Sequence, residues 1–126
     1  MAKMRTDLSR ARGTGATGTG TDHFWQQRLT GIANVVLLTS FVILLVHLHD
    51  KDYATVRAAF HNPLVGIVMA LTIVSATVHM RLGMQTIIED YAHGHTRLPM
   101  QILSNFFAIV VAVASLFAIL KLSFGA

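Results

Sequence analysis

Charged side chains divide this chain into three long apolar runs. Between Arg28 and Asp50 lie 21 residues without Asp, Glu, Lys or Arg, between Arg57 and Arg81 another 23, and between Arg97 and Lys121 again 23. Each run clears the ~20 residues a helix needs to cross a bilayer. In lipid every backbone N–H and C=O must be satisfied within the fold, so such runs predict helices and not an open sheet. The pattern predicts an all-α membrane protein with three transmembrane helices.

Local chemistry sets the expected boundaries. Asp22 has the side chain of an N-cap for HFWQQRL, with Trp25 at interface depth, so the first helix is expected over about 23–49. The polar connector DKDYATVRAAFHNP ends in Asn62-Pro63, an N-cap followed by a proline in the first turn, where its missing N–H costs nothing. The second helix then runs over about 63–91, past Gly83, with Gly94 as its stop. Pro99 opens a third helix, 99–122. Ahead of these, Lys3, Arg5, Arg10 and Arg12 precede a Gly/Thr-alternating stretch, and 1–21 reads as a flexible basic tail with no apolar core of a secretory signal. The membrane domain is 22–126.

Composition narrows the chemistry. The chain is 53% hydrophobic and 13% charged, against roughly 25% charged in ordinary soluble domains. The short loops leave no room for a soluble catalytic domain, so any reaction is intramembrane or borrowed. The absence of cysteine excludes disulfides, zinc–thiolate sites and Cys-bound iron–sulfur clusters. The net charge of +4 sits in the tail and at helix ends, where it serves topology beside lipid and argues against a nucleic-acid partner. The tail, Arg28, Arg81 and Arg97 supply seven Lys and Arg on one side; Lys51, Arg57 and Lys121 supply three on the other. The excess places the N-terminus in the cytoplasm and the C-terminus outside, in the periplasm of a bacterium.

His79 follows an apolar run about one turn inside the cytoplasmic boundary of the second helix. An ionisable group at that depth is a functional candidate, although an imidazole can also serve there as an interhelical hydrogen-bonding group. Gly83 lies one turn on and about 40 degrees around the helix, leaving bare backbone for a flat ligand to approach. A haem iron bound by histidine needs an imidazole aimed into an apolar cavity and cations for the propionates. Arg28 starts the first helix on the same side and is either such a cation or a snorkelling anchor; Arg81 reads as an anchor. Asp90 is eleven residues beyond His79, three turns to within about 20 degrees, so both share one face with a rise of ~16 Å. A carboxylate next to the phenol of Tyr91 suits a quinone headgroup, through proton supply and a hydrogen bond to a carbonyl; alone, EDY is an amphipathic helix end. His47 is the reserve ligand. His49, His61, His93 and His95 lie near water, and Met69, Met80 and Met84 suit packing.

These residues resemble the D-type hydrophobic membrane-anchor subunits of succinate dehydrogenase, respiratory complex II. The resemblance covers residues 22 to 122 and rests on His79 with Asp90-Tyr91 at its fixed spacing, on GMQ at Gly83 to Gln85, and on HFWQQRLTGIAN, similar to alphaproteobacterial forms. It implies that His79 is an axial ligand of haem b, with the second ligand from a cytochrome b C-type anchor subunit. It further implies that Tyr91 and Asp90 meet ubiquinone and that Arg28 lies near the haem propionates. His93, His95 and the basic tail match no motif position. Succinate oxidation would belong to the flavoprotein subunit, with electrons carried by the iron–sulfur subunit, so no catalytic residue for that step is expected here. The setting would be a bacterial inner membrane. The alternatives are a haem-bearing anchor of a fumarate reductase and a non-catalytic three-helix adaptor. A transporter is disfavoured, since the chain has no internal repeat and no pair of broken helices.

Overall fold

The computed structural model describes residues 6–13 and 20–125. Three helices long and apolar enough to cross a membrane dominate it. They are α2 (Gly20–Leu48), α4 (Pro63–Tyr91) and α5 (Arg97–Phe124), joined by α3 (Tyr53–His61) and a 3-10 turn (Gly94–Thr96), with a short α1 (Asp7–Ala11) ahead of them. No strand occurs among the described residues. Lys3, Arg5 and residues 14–19 of the Gly/Thr stretch of the expected tail lie outside the described residues.

Several ends differ from the sequence expectation. Helix α2 begins at Gly20, so Asp22 sits in its first turn; it complements the positive helix end there and is not the cap. The connector contains α3, capped by Asp52, whose carboxylate accepts from the Thr55 N–H at 3.1 Å. Hydrogen bonds from the Thr55 side chain and backbone hold the Asp52 carboxyl below its usual range. The Arg57 guanidinium donates to the Gly125 carbonyl, clipping α3 to the end of α5. Asn62 caps α4 through its side-chain oxygen, 3.0 Å from the Leu64 N–H, with Pro63 in the first turn. Gly94 adopts φ of 63°, a left-handed conformation that glycine takes at no steric cost. It starts the 3-10 turn that runs directly into α5 at Arg97. Pro99 therefore falls within the first turn of α5, where no N–H is missed.

Helix α4 is central, with α2 packed on one side and α5 on the other. Among the described residues the buried apolar side chains are only Met69, Leu82, Ile88, Ala92 and Ala108. Leu, Ile, Val and Phe side chains along all three spans face outward. An apolar exterior so extensive suits lipid and partner helices. The antiparallel course brings the start of α2, the end of α4 and the start of α5 to one end of the bundle.

Candidate functional site

A polar stripe runs down the apolar helix α2. His23, Gln27, Thr30, Gly31 and Asn34 recur at spacings of three, four and seven, which superimposes them on one helix face. All five are half-buried or buried, and Asn34 is only 8% exposed. The stripe faces α4. There, Thr30 Oγ1 lies 3.1 Å from His79 Nδ1, and Ser75 Oγ lies 3.5 Å from the Thr30 carbonyl. A Cβ placed on Gly31 would sit 3.5 Å from His79 Cε1, so the backbone of α2 lies against the edge of the imidazole. His79 itself is half-buried.

This arrangement changes the expectation for Gly83. A Cβ there would meet Gln27 Nε2 at 3.5 Å; the bare backbone accommodates a neighbouring helix side chain and is not open to a flat ligand. Arg28 is exposed beside the stripe, its guanidinium carbon 4.3 Å from the Phe24 ring centroid, a cation–π contact that fits an aromatic belt. No contact joins Arg28 to His79. Asp90 and Tyr91 occupy the last turn of α4, both exposed, Tyr91 at 81%. Neither side chain engages another described residue, so both polar groups are available to something outside this chain.

The other face of α4 carries a polar network absent from the sequence reading. Arg81 Nε donates to Asn105 Oδ1 at 2.9 Å. Glu89 accepts from Gln85 at 3.0 Å and Gln101 at 3.2 Å, and pairs with Arg97 at 3.4 Å. Arg81 thus bridges two helices, a more specific role than snorkelling. Between this network and α2 opens a cleft of ≈ 550 Å³ whose lining includes His23, Gln26, Arg81, Gln85 and Glu89. His47 and His49 are exposed at the opposite end, and His61, His93 and His95 are exposed in or beside the connections. Met69 is buried in the packing between helices.

His79 fits one side of a haem ligand set. Its Nδ1 is held by Thr30, and no described residue hydrogen-bonds its Nε2. Among the described residues no group of three or more His, Asp or Glu converges as a site for a bare metal ion.

A family model described as succinate dehydrogenase/fumarate reductase transmembrane subunit matches residues 2–120. The chain is 29% identical over 121 residues to a succinate dehydrogenase hydrophobic membrane anchor subunit of Paracoccus denitrificans, covering 96% of this chain and 94% of that relative. The corresponding protein of Rickettsia bellii is 29% identical over 119 residues, 92% of this chain and 94% of that one. A succinate dehydrogenase membrane anchor subunit of Reclinomonas americana is 33% identical over 104 residues, 77% of this chain and 81% of its own. No solved structure matches the chain.

Proposed function

The chain belongs to the succinate dehydrogenase/fumarate reductase transmembrane subunit family, and on that premise we propose that His79 contributes one axial ligand to a haem b shared with a C-type anchor subunit. As a hydrophobic membrane anchor subunit of succinate dehydrogenase, it is a multi-pass protein of the bacterial inner membrane that associates with the flavoprotein and iron–sulfur subunits. The family name also covers fumarate reductases, but the relatives compared are succinate dehydrogenase anchors, which favours succinate oxidation.

The observation that carries the haem reading is the half-buried imidazole with one nitrogen held by Thr30 and the other uncommitted. Haem, when bound, supplies a one-electron store within the membrane. Asp90 and Tyr91 end the same helix about three turns away, on the order of 16 Å along its axis, and carry the quinone site. The Tyr91 phenol donates a hydrogen bond to a ubiquinone carbonyl, and Asp90 supplies protons as the ring is reduced. Their exposure supports this role, because a site completed by other subunits needs side chains that this chain leaves uncovered. Arg28 is the cation the resemblance assigns to the haem propionates; in the single chain its guanidinium lies over the Phe24 ring. The N-terminal end of the bundle faces the cytoplasm, where the excess of Lys and Arg lies.

The test is a reduced-minus-oxidised visible spectrum of the complex isolated in mild detergent through this chain, beside His79→Ala. A low-spin b-type signal lost or altered in the variant is expected. An unchanged signal would remove His79 from the ligand set. A complex with no haem at all would favour a non-catalytic adaptor.

A further inference from the structure

The assignment of His79 as a haem ligand leaves open what makes its imidazole ready to bind, and the following rests on that assignment. A neutral imidazole carries one N–H, and only the other nitrogen has a lone pair for a metal. The partner of the protonated nitrogen therefore decides which nitrogen is free. For His79 that partner is Thr30 Oγ1, 3.1 Å from Nδ1.

The hydroxyl has a single proton to give. Its shortest contact is the Gln26 carbonyl at 2.7 Å, with the Gln27 carbonyl at 3.2 Å, the back-bond that threonine commonly makes within a helix. With the proton directed there, Oγ1 presents only lone pairs to the imidazole. Nδ1 must then be the donor. We infer that Thr30 is a positioning residue that holds His79 in its Nδ1–H tautomer and keeps Nε2 as the metal-binding nitrogen.

The helix packing supports the same orientation. A Cβ on Gly31 would lie 3.5 Å from His79 Cε1 and 3.9 Å from Nδ1, so α2 covers the Nδ1 side of the ring. Nε2 is not among the ring atoms within 4 Å of that position. A hydrogen bond from Nδ1–H into an acceptor also makes the ring a stronger electron donor, which favours ferric iron and lowers the reduction potential.

The intact complex purified through this chain provides the test, as wild type, Thr30→Val, Thr30→Ser and His79→Ala. The readouts are a potentiometric titration of the b-type absorbance and the low-temperature electron paramagnetic resonance spectrum of the ferric form. Thr30→Val is expected to retain haem with a higher midpoint potential and shifted low-spin g-values. Thr30→Ser, which restores the acceptor, is expected to return both to wild-type values. Thr30→Ala replaces the valine variant if that one does not assemble, with the same expected shifts. Wild-type potential and g-values without the hydroxyl, alongside loss of haem in His79→Ala, would overturn the role of Thr30 and leave the ligand assignment standing. Haem unaffected by His79→Ala would overturn both.

Discussion

The two faces of α4 both carry polar side chains inside an apolar bundle, yet they differ in how far this chain satisfies them. On the α5 side, Arg81 meets Asn105, and Glu89 gathers Gln85, Gln101 and Arg97. That network closes within the chain, and the α4–α5 contact leaves Ser123 Oγ, beside Gly66 at the other end of the bundle, as its one buried polar atom with no partner among the described residues. On the α2 side, Thr30 meets His79 but His23 Nε2, Gln27 Oε1 and Asn34 Oδ1 are buried with no partner among the described residues. Leaving a buried polar atom unpaired costs about 1–3 kcal/mol, so such atoms mark places where structure alone is a poor explanation. The α4–α5 face accordingly acts as a structural joint. The α2–α4 face keeps three buried polar atoms unpartnered among the described residues, and it is the face to which the proposed function assigns a ligand and a partner subunit.

The sharpest way to break this contrast is at Gly31. Gly31→Leu would drive a branched side chain into the space of the His79 ring, and haem per flavin in the purified complex, measured as pyridine haemochrome, is expected to fall to near zero. Gly31→Ala is the control. Its added carbon lies at ordinary contact distance from Cε1, 3.5 Å, and haem content is expected to be retained. Full occupancy in the leucine variant would show that the α2–α4 face is only packing.

At the end of the same helix, Tyr91→Phe removes one hydrogen bond and nothing of the ring. Quinone reduction is expected to drop on the order of tenfold, the rate equivalent of about 1.4 kcal/mol, with haem content and subunit stoichiometry unchanged. Wild-type turnover would take the quinone role from Tyr91. The smallest effect belongs to the opposite face. Glu89→Ala opens the network to Gln85, Gln101 and Arg97, a loss of about 1 kcal/mol for partly exposed hydrogen-bonded charge. Faster thermal dissociation of the complex in detergent is expected with an unaltered haem spectrum. A haem shift in that variant would show that the two faces are coupled.

Local signals were legible because local rules produce them. The Asn62-Pro63 start of α4 depends only on neighbouring residues, and the structure uses it; the stop expected at Gly94 is made two residues earlier, by an extended Ala92 whose N–H donates to the Ile88 carbonyl, and Gly94 turns the chain into the 3-10 segment instead. Helix α3 had such a signal too: Asp52 precedes Thr55 at capping distance, and Val56, Ala59 and Phe60 share a side of it. Its nine residues are too short to cross a membrane and are flanked by Asp50, Lys51, Asp52 and Asn62, so the stretch reads as a polar connector. The stripe His23, Gln27, Thr30, Gly31 and Asn34 was likewise written at helical spacing along α2, and only its direction was missing.

That direction is what tertiary structure decided. Sequence alone determined three spanning helices, because insertion responds to length and apolar content summed along one segment. It also determined that His79 lies within a span and that Asp90 and Tyr91 end it. Pairing Thr30 with His79 across 49 positions, filling the space beside Gly83 with Gln27, and separating Arg28 from His79 depend on the rotation and register of whole helices. In lipid, apolar side chains are equally comfortable outside and inside, so their pattern does not say which face of a helix meets its neighbour. Close packing of small and polar groups makes that choice, and its result appears only when the helices are assembled.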